Sequence, residues 1–197
     1  MSFRNPKQPK PSKDLDVSHV SGNVSEDIKR LLAYPWESLY LGEDDDGQWR
    51  WWGYNSDLFK RTKVTEVSVE KNALEAKKYT GKVVCEIDVE RDMVNPDRVL
   101  QGGCTAFLAD MCTNLCLFAL AMHAGGEQNS TSQALNVIYH APSPLGDRLR
   151  ITSTTISLGA RTMSARVEMW SIKYHRLIAS AVHMKMLPSV PAPKTKL

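Results

Sequence analysis

Gly102 and Gly103 open a long apolar segment, and Asp110 follows eight residues after the first of them. Glycines at a helix start leave backbone N–H groups unpaired, and the positive end of the helix dipole adds to their pull on a developing oxyanion. Glycine also lets a substrate approach the backbone closely. Asp110 is a lone carboxylate in apolar surroundings, so it either has a dedicated partner or faces a pocket, where it would serve as a base or a nucleophile. The alternative for this residue taken alone is a packing role, hydrogen-bonded to a neighbouring turn. If both groups lie on one helix, eight residues at about 1.5 Å each separate them by about 12 Å, too far for both to touch one reacting group. Two chains must then cooperate. In a two-fold dimer with paired helices, the Gly102 amide of one subunit meets Asp110 of the other, giving two equivalent sites.

The elements that position these residues follow from periodicity. Cys104 to Ala124 is a 21-residue segment whose strongly polar members before His123 are Asp110 and Asn114. A carboxylate near its middle, and no basic flank at either end, argue against a membrane span and for a helix wrapped by other elements. Thr65, Val67 and Val69 alternate with polar neighbours, as do Val83, Cys85, Ile87 and Val89, predicting two half-buried strands. Four further alternating runs follow the helix, at 131–141, 148–157, 161–172 and 175–187. Short connections predict that these last four form an antiparallel meander. The expected architecture is α+β: one six-stranded antiparallel sheet curled around one central helix.

Ahead of this domain, residues 1–22 carry Pro6, Pro9 and Pro11 among polar residues and are expected to form a disordered arm. Those prolines, with Asp14 and Asp16 close behind, do not suit an amphipathic mitochondrial presequence. Ser25 is placed to cap a helix carrying Ile28, Leu31 and Leu32 that ends before Pro35. Residues 23–62 then form a helical and Trp-rich extension, with a turn at Glu43–Gly47 followed by Trp49, Trp51 and Trp52. Such aromatics are expected to cap one end of the core, with ligand binding as the alternative. The main domain is assigned to 63–188 and a flexible tail to 189–197.

Composition narrows the function classes. With 25 Lys and Arg against 22 Asp and Glu, the net charge of +3 is too small and dispersed to indicate a nucleic-acid partner. Cys85, Cys104, Cys112 and Cys116 match no zinc signature, and no secretory leader opens the chain, so reduced intracellular thiols and no metal or other cofactor are expected. Gly-x-Ser-x-Gly and the glycine-rich phosphate loops are missing. His123 sits at the helix end, and His140, His175 and His183 lie on strands without a nearby nucleophile pattern, so no Ser-His-Asp reading is made.

From about Thr65 to Leu187 this layout, together with Asn95-Pro96-Asp97-Arg98-Val99-Leu100-Gln101-Gly102-Gly103 and Asp110, resembles the hotdog-fold acyl-CoA thioesterases of the PaaI-like group. Members of that group carry Asn, a turn glycine and His-Gly-Gly before the helix, with an acidic residue eight positions after the first glycine of the pair. Gly102 and Asp110 keep that spacing, and Asn95 occupies the Asn position. Arg98 replaces the turn glycine, implying a turn that avoids positive φ, and Gln101 replaces the His, removing a proton carrier while keeping a hydrogen-bonding amide.

The resemblance implies hydrolysis of an acyl-CoA substrate by a homodimer or a tetramer of dimers. Asp110 would activate water or attack, and the Gly102 N–H would polarise the carbonyl. Gln101 and Asn95 would shape that donor site, and Ser132 would position water or Asp110. Gly103 and Thr131 would line the substrate. Among the basic residues that could meet the CoA phosphates, Arg148, Arg150, Arg166 and Lys173 fall on solvated strand positions, leaving Arg161, beside the Gly159-Ala160 turn, as the candidate. Two rivals remain: a hotdog domain acting as an acyl-CoA sensor or scaffold, suggested by Arg98 and Gln101, and a dehydratase, disfavoured because no His stands beside Asp110. A cytoplasmic location is expected, with the peroxisome as alternative because Thr195-Lys196-Leu197 resembles a Ser-Lys-Leu address.

Overall fold

The computed structural model describes residues 10–51, 53–75, 77–126 and 130–187. Helix α1 (Glu26–Ala33) begins where the Ser25 hydroxyl accepts the Ile28 N–H at 3.4 Å, and it buries Leu31 and Leu32. Pro35 then opens a short 3-10 turn. A small hairpin follows, β1 (Leu41–Glu43) paired with β2 (Trp49–Trp51), and α2 (Ser56–Arg61) leads into the main sheet.

That sheet contains β3 (Lys63–Lys71), β4 (Tyr79–Asp88), β5 (Thr131–Tyr139), β6 (Arg148–Leu158), β7 (Thr162–Ser171) and β8 (Arg176–Met186), all antiparallel. Between β4 and β5 runs α3 (Gly102–His123), whose concave bed is the inward face of the sheet. By length and composition α3 could cross a bilayer, yet most of it is buried here against the strands. Gly81 permits the close approach: a Cβ there would meet the Cys116 carbonyl oxygen at 3.0 Å and Leu120 Cβ at 3.2 Å.

The strand order is β3-β4-β6-β7-β8-β5. Only β6, β7 and β8 therefore form a meander, and the expected pairing of β5 with β6 does not occur. Pro142 and Pro144 prevent a tight hairpin after β5 and carry the chain past the start of α3, where the Leu100 N–H donates to Ser143 O at 2.8 Å. The chain then enters β6 beside β4, leaving β5 at the sheet edge against β8. At this crossing the buried Asp147 carboxylate accepts from Ser143 Oγ at 2.7 Å, Ser171 Oγ at 2.9 Å and the Arg148 N–H at 2.8 Å. Three donors on one buried carboxylate tie β6, β7 and the crossing loop together.

The expected arm does not reach residue 22 as an unpacked segment. Val17 and Val20 are buried in the core, and Ser21 bridges Glu66 in parallel, with its N–H on Thr65 O at 2.9 Å. Composition hid this because two valines among polar residues suffice once β3 offers a free edge. Residues 1–9 and 188–197, including the tail and Thr195-Lys196-Leu197, lie outside the described residues.

Candidate active site

The start of α3 is built by the loop before it. Asn95 accepts the Val99 N–H through its side-chain Oδ1 at 3.1 Å, and its backbone N–H donates to Val99 O at 2.9 Å. Asn95 is thus spent on closing this turn. Arg98, contrary to expectation, takes φ 60°. The turn keeps its left-handed position without glycine, held by Arg98 N–H to Asn95 O and Leu145 N–H to Arg98 O, both at 2.9 Å.

Gln101 is the exposed N-cap of α3, and its side chain makes no capping hydrogen bond. The first-turn N–H groups of Gly102 and Gly103 therefore have no side-chain acceptor from the cap and remain available to an anion. On the other side of this helix start, the Tyr139 hydroxyl donates to Gly102 O at 3.0 Å. Gly103 is exposed, with nothing within 4 Å of where a Cβ would stand.

Two turns along, Asp110 projects from α3 with its side chain 41% exposed, on a helix that is otherwise largely buried. Ser132 Oγ lies 3.3 Å from Asp110 Oδ1, and His183 Nε2 lies 3.4 Å from the same oxygen. His183 Nε2 also lies 2.9 Å from Ser132 Oγ, and Lys185 Nζ donates to that hydroxyl at 3.4 Å. On its far side His183 Nδ1 meets Thr113 Oγ1 at 2.7 Å. Asp110, Ser132, His183 and Lys185 thus form one polar cluster against the helix.

Hydrogen-bond counting assigns the imidazole. Thr113 gives its single hydroxyl proton to the Ala109 carbonyl at 2.7 Å, so His183 Nδ1–H must donate to Thr113 Oγ1. In the neutral ring Nε2 is then an acceptor facing Ser132. Burial pushes His183 below the ordinary imidazole range; Asp110 opposes that shift and Lys185 reinforces it. Lys185 is itself lowered by burial, with Asp110 opposing. A Ser132 proton can therefore serve either Asp110 Oδ1 or His183 Nε2, while Asp110 keeps a face open to solvent.

The absence of any expected Ser-His-Asp grouping is corrected here. Ser132 and His183 are 51 residues apart and meet because β5 pairs with β8, with Ser132 opposite Lys185 and a bulge between Ser132 and Ala134. One signal in the sequence pointed to this: His183 and Lys185 continue the inward phase of Ala179 and Ala181, so two ionisable side chains occupy buried positions. The grouping differs from a serine-hydrolase triad, since Asp110 contacts Ser132 and the Nε2 side of the ring, and Thr113 holds Nδ1.

Other candidates stand apart from this cluster. Thr131 is exposed and pairs with Met186, and Arg161 is exposed in the turn before β7, its carbonyl accepting the Leu187 N–H at 2.9 Å. Arg148 and Arg150 are engaged with Asp88 and Glu86 across β4 and β6. Cys112 and Cys116 are buried, the latter donating to Gly81 O, and among the described residues no group of three His, Cys, Asp or Glu is placed to hold a metal.

Comparison with known proteins agrees with this architecture. The family model described as Thioesterase superfamily matches residues 98–176. Human acyl-coenzyme A thioesterase 13 is 32% identical over 107 residues, covering 54% of this chain and 74% of the relative. The crystal structure of zebra fish thioesterase superfamily member 2 superposes with a TM-score of 0.56 at 25% identity, covering 70% of this chain and 88% of that one. A hypothetical thioesterase from Streptococcus pneumoniae, solved with coenzyme A, shares the fold at a TM-score of 0.50 and 18% identity, over 55% of this chain and 79% of that one. A sheet curled around one helix of this kind is the hotdog fold, and the class it defines here is a thioester hydrolase. The chain belongs to the thioesterase superfamily.

Proposed function

We propose that the protein hydrolyses an acyl-CoA thioester at a site shared between two copies of the chain. The observation that carries the reading is Asp110, a half-exposed carboxylate on a buried helix, with one oxygen held beside Ser132 and His183. Asp110 activates water or attacks the carbonyl carbon, and Ser132 fixes the carboxylate or the water. Gly102 N–H, strengthened by the helix dipole, polarises the carbonyl oxygen. Gln101, beside that donor, offers an amide to orient the thioester. The coenzyme A in the Streptococcus pneumoniae structure supports CoA as the carrier.

Gly102 and Asp110 lie on one helix, eight residues and about 12 Å apart, so one thioester group meets both only if they come from different chains. The β5 edge supports a two-fold assembly, because among the described residues its one sheet neighbour is β8.

The test is thiol release from short, long and aromatic acyl-CoAs by wild type and Asp110→Asn, with the oligomeric state measured alongside. Release by dimeric wild type that disappears in a folded Asp110→Asn dimer supports the reading. Undiminished release in the variant overturns it. Tight acyl-CoA binding without release by wild type would instead favour a sensor, the role that Gln101 in place of a proton carrier suggests.

A further inference from the structure

Lys185 is only 4% exposed, on the inward face of β8 in phase with Ala179, Ala181 and His183. Its cross-strand neighbours are Ser132 on β5 and the buried Met163 on β7. An apolar side chain would suit the packing here, because a desolvated ammonium costs free energy unless partners compensate it. The compensation comes from the polar cluster. Lys185 Nζ donates to Ser132 Oγ at 3.4 Å, and Ser132 Oγ lies 3.3 Å from Asp110 Oδ1, so the hydroxyl stands between a cation and an anion. An ammonium has no acceptor; Ser132 must accept on that side, and its single proton is turned toward Asp110 and His183.

The groups that face the His183 ring are Asp110 and Thr113 from α3, Ser132 from β5, Ala165 opposite on β7 and Lys185 two residues along β8. Burial lowers the imidazole most; of the two charges, Asp110 opposes that shift and Lys185 adds to it. The opposition matters to the carboxylate. A proton on Nε2 would turn its 3.4 Å approach to Asp110 Oδ1 into an ion pair and occupy that oxygen. A cation sharing the Ser132 hydroxyl with Nε2 resists this proton by like-charge repulsion.

Resting on the thioesterase reading above, we infer that Lys185 is a positioning residue of the reaction: its ammonium orients the Ser132 hydroxyl and denies His183 the proton that would tie up Asp110. In this role Lys185 touches no reacting atom. It acts through Ser132 and His183, leaving the Asp110 carboxylate free to take a proton from water or to attack. Both His183 and Lys185 lie beyond the stretch matched by the family model, which ends at residue 176.

Lys185→Met removes the charge and the donor at a position where Met163 shows that a methionine packs. With the acyl-CoA that wild type hydrolyses fastest, kcat is expected to fall about tenfold near neutral pH, with KM changed by less than about twofold. The acid limb of the kcat profile should move up by about one pH unit, because loss of a like charge makes the imidazole easier to protonate. The NMR titration of the His183 ring, assigned by its disappearance in His183→Gln, should move up with it. Lys185→Arg keeps the charge and should leave both titrations where wild type has them. Thermal melts check folding, and where Lys185→Arg does not fold, Lys185→Met decides alone.

A His183 titration unmoved in folded Lys185→Met, an equal move in folded Lys185→Arg, or a rise in KM alone overturns the inference, even where Asp110→Asn is inactive. A wild type that releases no thiol from any acyl-CoA overturns the thioesterase reading alone, because the NMR titration still tests whether Lys185 governs the His183 proton.

Discussion

Ser132 Oγ stands 2.9 Å from His183 Nε2, and the same hydroxyl lies 3.3 Å from Asp110 Oδ1. A serine at the edge of the sheet thus joins a buried imidazole on the neighbouring strand to the half-exposed carboxylate on the central helix. The contact depends on the β5–β8 register, and a slip by one residue would turn Ser132 away from both partners.

Ser132→Ala is expected to lower kcat for thioester hydrolysis by about tenfold, equivalent to about 1.4 kcal/mol, the worth of one hydrogen bond to a charged group. Ser132→Thr, which restores a hydroxyl, should recover most of the rate. Equal loss in both variants would show that the side chain's size, rather than its hydrogen bond, matters.

His183 makes stability depend on pH. Its ring is held neutral in the fold chiefly by burial, so its folded-state pKa is below the unfolded value of about 6.5. On acidification the unfolded chain takes up a proton that the native state resists. The His183 contribution is therefore whole above about pH 6.5 and is lost as pH falls toward the lower folded value. Urea midpoints from about pH 8 down to about pH 5 should fall more steeply for wild type than for His183→Gln. A steeper fall in the variant would contradict the assignment.

Asp147 holds two hydroxyls and one backbone N–H at the loop that redirects the chain from β5 to β6. Asp147→Ala strands these donors in the interior and should cost about 2–4 kcal/mol of unfolding free energy. Denaturant titration measures it, and a loss below about 1 kcal/mol would mean that water replaces the carboxylate.

Arg98 carries the left-handed φ that glycine adopts freely. Relief of about 1–2 kcal/mol of backbone strain is set against about 0.5–1 kcal/mol of added unfolded-state entropy. Arg98→Gly should therefore stabilise the fold modestly, raising the thermal midpoint by a few degrees, and a lowered midpoint would show that the arginine side chain anchors the turn.

The local elements were legible because their signals are local. Ser25 and Pro35 bracket α1, alternation marks every strand of the main sheet, and Gly102 begins an apolar helix that needs a wrapping. The eight-residue spacing from Gly102 to Asp110 likewise required nothing beyond the chain itself. Only tertiary structure decided the rest. Which strand borders β5 depends on how Pro142 and Pro144 lead the chain past the helix, and that choice sets His183 and Lys185 beside Ser132. The positive φ of Arg98 follows from hydrogen bonds to Asn95 and Leu145 that its own side chain does not announce. Tyr40 and Trp51 meet Phe59 only in the fold, where the three rings line one pocket with Asp110. Periodicity fixes which face of an element is buried, whereas long-range pairing fixes which buried groups meet.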